Sequence, residues 1–451
     1  MKIHFISIGG SVMHNMAISL HKKGMKVTGS DDEIFEPSKS RLKKHGLLPE
    51  KNGWDETRIN SNIDVVILGM HARIDNPELI KAKKLKLKIY SFPEYFYEQT
   101  KNKLRVVIGG SHGKTTITSM VMHVLNYHKI KFDYLVGAKL EGFETMVELS
   151  NESTIAIFEG DEYLSSPIDK RPKFHLYKPH IALITGIAWD HINVFPTFKI
   201  YKKQFEKFIE LIEKNGTLIY YKNDKELSNI VKLSANNINK FTYNTQEHKV
   251  INGKTFLKYN NQLIPVEIFG NHNLQNINGA RLVCNKVGID DKKFYKAITS
   301  FKGASKRLQL LNKNDFTNIY IDFAHSPSKL EATVTAVKEQ FANRKLIACM
   351  ELHTFSSLNK NFLEQYSGTM DLADIAIIYY NPETVSHKKL ENISKDEIKK
   401  AFGRSNINVY INSNNLIEYI KSLDLKNKNL LLMSSGNFSG IDLVKFASDL
   451  L

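Results

Sequence analysis

The sequence runs to 451 residues, with 63 Lys and Arg against 47 Asp and Glu, a formal net charge of +16, and 42% hydrophobic and 24% charged residues. A chain of this length and balance can bury large cores in two or three domains, and no uninterrupted apolar run approaches the ~18 residues that span a bilayer, which argues against a membrane protein. The lysines are spread along the chain with no nucleic-acid-binding motif beside them, so the basic charge reads as an attraction for anionic small molecules such as nucleotides and argues against nucleic acid as a partner.

The first apolar stretch (Ile3, Phe5, Ile6, Ile8) is interrupted by His4 and Ser7 and stopped by Gly9. It is too short for the core of a signal peptide, and a cytoplasmic location is expected. Cys284 and Cys349 lie in apolar surroundings without metal-ligand spacing and read as buried thiols. From Lys2 to Asp32 the pattern is strand, glycine turn, helix, strand: the stripe Val12, Met13, Met16, Ala17, Leu20 has helical spacing, and Met25–Thr28 returns as a strand ending at Gly29, Ser30 and Asp31. This is a nucleotide-binding βαβ opening with an acidic residue about 20 positions after its glycines. The fingerprint G-x-G-x-x-G is absent, because Ile8 and Met13 stand where two of its glycines would be, so a dehydrogenase is disfavoured.

The strand Val65–Leu68 leads to Gly69-Met70-His71-Ala72, where His71 is either a ligand contact or a turn residue. Phe92, Pro93 and the run Lys101-Asn102-Lys103 read as a linker into a second domain. There the β-branched run ending at Ile108 enters Gly109-Gly110-Ser111-His112-Gly113-Lys114-Thr115-Thr116, followed by a helical stripe at Ile117, Met120, Val121, Val124 and Leu125. Glycines at a strand-to-helix turn aim backbone N–H groups at one spot, where a phosphate fits; Lys114 would neutralise the β- and γ-phosphates and Thr115 would complete the shell of a Mg²⁺ ion. A solvated glycine turn is the plainer alternative.

Ile155–Tyr163 delivers Glu159, Asp161 and Glu162 at a strand's C-terminal end, the edge where α/β sheets place ligands. Carboxylates this close repel unless a cation sits among them, which points again to Mg²⁺, with a solvated acidic turn as the alternative. A further strand runs from Ile181 towards Trp189-Asp190-His191. Asn273 and Asn276, three apart at the start of a predicted helix, face the same way and form either a doubled N-cap or a binding pair. Strands at Ile319–Phe323, Leu346–Met350, Ile375–Tyr379 and Leu430–Met433 alternate with helical segments, as in a doubly wound domain.

These stretches together resemble the Mur ligases, the ATP-dependent amide-forming enzymes of peptidoglycan synthesis. The loop from Gly110 to Thr116 resembles their G-T-x-G-K-T-T, the opening resembles H-F-x-G-I-G-G…G-S-D, Phe158–Glu162 resembles E-A-D-E, Asn271–Asn276 resembles H-N-x-x-N, Phe301–Leu308 resembles F-x-G-x-x-R-R-L, and Asp322–Pro327 resembles D-D-[FY]-A-H-H-P. The resemblance implies an α/β protein of three domains: a Rossmann-like UDP-binding domain over residues 1–100, a central P-loop ATPase domain over 101–303, and a C-terminal doubly wound domain over 304–451 that closes over ATP. It implies UDP contacts at Gly9, Gly10, Ser11, Asp31 and His71, and ATP contacts at Gly110, Ser111, His112, Gly113, Lys114, Thr115, Thr116, Asn273, Asn276, Arg307 and Asp322. Magnesium ligands would be Thr115, Glu159 and His191, catalytic residues Lys114 and His191, and an acceptor contact His325. The implied cofactors are ATP and Mg²⁺.

Asp169-Lys170-Arg171-Pro172-Lys173-Phe174 and the closing Ser434-Ser435-Gly436-Asn437-Phe438 resemble the murein peptide ligase branch of the family. That branch joins UDP-N-acetylmuramate to L-Ala-γ-D-Glu-meso-diaminopimelate in peptidoglycan recycling; ligation of L-alanine in de novo synthesis is the alternative acceptor reading. Ile321, Ser326 and Ser357 depart from the family pattern, which motivates a third reading, a UDP-sugar- or nucleotide-binding regulator without catalysis. The carbamylated lysine of several Mur ligases has no clear counterpart between Thr197 and Phe208, where Gln204 is the candidate for its place. A monomer or weak homo-oligomer acting on small molecules is expected.

Overall fold

The computed structural model describes residues 1–70, 72–140, 142–189 and 194–451. Its contacts gather into two compact units, Met1–Ile187 with Thr197–Asn244 and Gly279–Ala297, and Ala188–Pro196 with Thr245–Asn278 and Ile298–Leu451.

In the first unit, β1 (Lys2–Ile6), β2 (Lys26–Ser30), β3 (Val65–Leu68) and β4 (Lys88–Ser91) form a wholly parallel sheet of order 2-1-3-4. A parallel strand covered on both faces needs consecutive apolar residues, and Ile3, Phe5 and Ile6 are all buried. The helix Ser11–Lys22 buries Met13, Met16, Ala17 and Leu20 of the expected stripe, leaves Val12 half-buried, and also buries Asn15 and Ser19. Those polar side chains are buried because they pair with backbone: Met146 N donates to Asn15 Oδ1 (3.2 Å) and Leu149 N to Ser19 Oγ (2.9 Å).

The expected linker at Phe92 and Pro93 is instead a helix, Phe92–Thr100. Ser91 and Glu94 form a capping box at its start, Pro93 sits in the first turn where its missing N–H costs nothing, and Phe92, Tyr95 and Phe96 are buried. The second sheet follows: β5 (Leu104–Gly109), β6 (Phe132–Leu135), β7 (Val147–Glu148), β8 (Ile155–Glu159), β9 (Ile181–Ile184), β10 (Thr217–Tyr221) and β11 (Asn239–Tyr243), in the order 11-10-9-5-8-6-7, with only β7 antiparallel. After β5 the chain builds β6 and β8 on one side and then crosses to β9 on the other. The C-terminal end of β5 therefore lies at the switch point where ligands bind in such sheets.

In the second unit, β12 (His248–Ile251), β13 (Lys254–Tyr259) and β14 (Gln262–Val266) make an antiparallel sheet that the sequence reading passed over. β15 (Gln309–Lys313), β16 (Asn318–Asp322), β17 (Lys345–Glu351), β18 (Ile375–Tyr379), β19 (Asn408–Tyr410) and β20 (Lys428–Met433) follow in the order 15-16-20-17-18-19. Alternate residues of β17 enter two different cores, Ala348 and Met350 in one and Ile347 and Cys349 in the other, as two helical layers require. Both cysteines are buried, and burial pushes their thiols well up from the ordinary range. Among the described residues no helix is long and apolar enough to cross a membrane.

Candidate active site

β5 ends at Gly109, and the helix Lys114–Tyr127 begins directly after the loop, with Gly113 as its N-cap at φ 76°. Gly110 has φ 117°, and a Cβ there would stand 2.1 Å from Thr185 Oγ1 and 2.7 Å from Thr185 N. Only glycine fits. Ser111 N already donates to Gly186 O (3.0 Å), so this loop fixes its own shape partly through β9's extension. Lys114 Nζ donates to Gly110 O (2.8 Å) and to Glu162 Oε2 (2.7 Å), while Thr115 Oγ1 donates to Glu159 Oε1 (2.6 Å).

The acidic patch thus meets the loop, and its carboxylates have partners. Glu159 Oε2 accepts from Gly137 N (2.8 Å), Glu162 Oε1 accepts from Tyr201 Oη (3.0 Å), and Asp161 pairs with Lys173 (2.5 Å). Burial pulls the Lys114 pKa down, but the charges of Glu162 and Asp161 outweigh it and the ammonium ends above its ordinary value. The anticipated repulsion is relieved by lysines: Lys114 and Lys173 neutralise two of the carboxylates. Among the described residues no group of three or more His, Cys, Asp and Glu is arranged to hold a metal. His191, the other expected magnesium ligand, lies outside the described residues, as does His71. Gln204, considered for the place of a modified lysine, donates its Nε2 to Ile200 O (3.0 Å) on its own helix.

Gly9, Gly10, Ser11 and Asp31 line one cavity of about 600 Å³ together with Arg41 and Lys139. Gly9 N donates to Asp31 Oδ2 (2.7 Å), and a Cβ on Gly9 would stand 2.9 Å from that oxygen. Burial raises the Asp31 pKa to about 6 against the pull of the Gly9 N–H. Arg41 donates to Asn15 Oδ1 (3.1 Å) and to Glu144 O, tying the loop before β7 to the first sheet's helix. Sequence reasoning missed Arg41 and Lys139, whose place in the cavity depends on loops far apart in the chain. The Asp75–Glu78 turn serves the fold: Asn76 caps the helix Pro77–Lys84, and buried Glu78 pairs with His4 Nε2 (3.2 Å).

The helix Asn271–Lys286, whose residues up to Asn278 belong to the second unit, starts before Asn273, so neither Asn273 nor Asn276 is its N-cap; both are buried, and Asn273 Nδ2 donates to Phe269 O (2.9 Å). Asp322, at the end of β16, accepts from Leu308 N (2.5 Å). Burial raises its pKa to about 6, and the nearby Arg307 charge pulls the other way. Arg307 stacks over Phe323 at 4.7 Å, and His325 Nδ1 lies 3.0 Å from Phe323 O. Arg307, Asp322 and His325 are thus gathered at one sheet edge. Ser357, which with Thr354 lies in the loop that departs from the family pattern, is buried and bonded to Thr354 Oγ1 (2.9 Å) and His353 N (3.1 Å), closing the loop on itself.

Three family models match in order: Mur ligase family, catalytic domain, over residues 2–103; Mur ligase middle domain over 108–284; and Mur ligase, glutamate ligase domain, over 306–436. A UDP-N-acetylmuramate–L-alanine ligase of Clostridium acetobutylicum is 30% identical over 441 residues, covering 93% of this chain and 92% of that one. The chain belongs to the Mur ligase family. This Mur ligase is also 25% identical over 449 residues to a UDP-N-acetylmuramate–L-alanyl-gamma-D-glutamyl-meso-2,6-diaminoheptandioate ligase of Haemophilus influenzae, with 97% of each chain covered. Its fold matches that of a UDP-N-acetylmuramate-alanine ligase from Thermotoga maritima with a TM-score of 0.70 at 21% identity, over 100% of this chain and 98% of that one. It is a mixed α/β enzyme of three Mur ligase domains, in a family of ATP-dependent acid–amino-acid ligases that build peptidoglycan.

Proposed function

We propose that this Mur ligase uses ATP to join the lactyl carboxylate of UDP-N-acetylmuramate to the amino group of L-Ala-γ-D-Glu-meso-diaminopimelate, in the cytoplasm, as a monomer or weak homo-oligomer. The single observation that carries the chemistry is the meeting of Lys114, Thr115, Glu159 and Glu162 at the end of β5. The residues present fit the groups they would hold. A glycine loop without room for a Cβ leaves space for phosphate, and a hydroxyl and a carboxylate oxygen in contact are the hard donors that Mg²⁺ takes.

In this reading a carboxylate oxygen attacks the γ-phosphorus and ADP leaves. The amine then attacks the acyl phosphate, loses a proton, and phosphate departs with that oxygen. Lys114 neutralises phosphate oxygens as they gain charge; Thr115 and Glu159 would hold Mg²⁺, which would supply further positive charge there. Gly9, Gly10, Ser11, Asp31 and Arg41 position the UDP-sugar, and His71 belongs to the same site. Asn273, Asn276, Arg307 and Asp322 bind the nucleotide, His325 serves the acceptor, and His191 completes the metal site. The proposed domain limits are 1–100, 101–303 and 304–451.

The tripeptide reading rests on the Asp169–Phe174 and Ser434–Phe438 segments and on the Haemophilus relative. L-alanine as acceptor is the second reading, favoured by the Clostridium relative. Phosphate release with Mg-ATP and UDP-N-acetylmuramate, with each acceptor in turn and the product mass recorded, separates them. Turnover with tripeptide alone supports the first, turnover with L-alanine supports the second, and neither supports a binding protein.

A further inference from the structure

Tyr201 has no role in the reading above, yet it is fully buried beside the phosphate loop. It sits on the helix Phe198–Glu210, which Thr197 caps through Ile200 N, and its ring packs edge-on against Phe205 at 5.2 Å. Its hydroxyl lies 3.0 Å from Glu162 Oε1 and 3.0 Å from Ser111 Oγ. A carboxylate only accepts, so the tyrosine proton goes to Glu162 and Ser111 must donate to Tyr201. Glu162 is 1% exposed, and its other oxygen accepts from Lys114 Nζ. The donors therefore converge on Glu162, Ser111 through Tyr201 on one oxygen and Lys114 on the other, and both Ser111 and Lys114 lie in the phosphate loop. Among the described residues Lys114 meets two acceptors, Gly110 O and Glu162 Oε2, for its three N–H donors.

We propose that Tyr201 and Glu162 are positioning residues that hold the Lys114 ammonium in place before nucleotide arrives, so that binding does not have to order a long, flexible side chain. This rests on the reading of Lys114 as the phosphate-binding lysine. A lysine loses considerable rotamer freedom when fixed, and a site that fixes it in advance binds more tightly for that reason alone. The hydroxyl of Tyr201 matters because it removes the freedom of the carboxylate to turn away from the lysine.

The test is Tyr201→Phe, which deletes one oxygen and keeps the ring. Calorimetric titration with Mg-ADP is expected to show a Kd raised by about threefold to tenfold, the entropic cost of immobilising one long side chain. UDP-N-acetylmuramate affinity should stay within about twofold of the parent, on the same measure of experimental scatter in free energy. In a Glu162→Gln background, where the lysine has already lost its counter-charge, Tyr201→Phe is expected to change ADP affinity by less than half as much in free energy. Unchanged ADP affinity in Tyr201→Phe overturns the proposal. So does an equal effect in both backgrounds, or a parallel loss of UDP-sugar and ADP affinity, because a merely structural tyrosine would give either. Because ADP binding is read without turnover, a parent protein that makes no amide with any acceptor would sink the proposed function while leaving this test intact.

Discussion

Replacing Lys114 with Ala should harm the fold as well as the chemistry, and the two effects can be separated. Lys114 Nζ and Glu162 Oε2 stand 2.7 Å apart with side chains 15% and 1% exposed. Removing the cation leaves a buried carboxylate without its counter-charge, although the Tyr201 hydroxyl still donates to it at 3.0 Å. Breaking a buried pair from one side costs ~3–5 kcal/mol, and the lysine's partial exposure argues for the lower end, about 3 kcal/mol. For a domain of this size that is a fall in Tm of roughly 6–12 °C. In Lys114→Ala/Glu162→Gln the carboxylate is replaced by a neutral isostere, so most of the lost Tm should return. Phosphate release, in contrast, should stay at least ~10²-fold below the parent in both variants, because the charge that stabilises the phosphoryl oxygens is gone. Differential scanning calorimetry and a phosphate-release assay on the same preparations read both quantities. A single variant whose Tm stays within about 2 °C of the parent would refute the buried pair, since ~1 kcal/mol or less would then separate them.

Gly110→Ala puts a Cβ against Thr185 backbone at a φ of 117°, so a cost of about 2–5 kcal/mol and loss of ADP binding are expected, read by thermal unfolding and calorimetry. Arg41→Ala should weaken UDP-N-acetylmuramate about tenfold by freeing the Glu144 loop, with ADP affinity unchanged, as titration of each ligand would show. Asp322, raised to about 6, binds its proton more tightly folded than unfolded, so its contribution to stability is fullest at low pH and is lost as pH rises from about 4 to 6. Asp322→Asn should therefore gain stability relative to the parent between pH 4 and 7, by at most ~3 kcal/mol in urea unfolding.

Strands with continuous apolar runs, such as Val65–Leu68 and Ile155–Glu159, were legible because a buried parallel strand needs no polar face. The phosphate loop was legible because its conformation demands glycine at Gly110 and Gly113. What sequence could not provide was pairing across distance. Glu162 reads as one acid among several until Tyr201, 39 residues on in sequence, is seen to hold it, and Arg41 reads as a surface charge until it reaches the Glu144 carbonyl. The helix Phe92–Thr100 reads as a linker in sequence because Pro93 and its aromatic residues obscure the capping box that Ser91 and Glu94 form.

The proposed chemistry requires that an oxygen of the sugar's carboxylate end up in phosphate. UDP-N-acetylmuramate carrying ¹⁸O in its lactyl carboxylate, turned over with Mg-ATP and the accepted amine, tests this directly by mass spectrometry of the phosphate released. One ¹⁸O per phosphate formed is the expected result. Phosphate free of label, with amide product present, would contradict activation through an acyl phosphate.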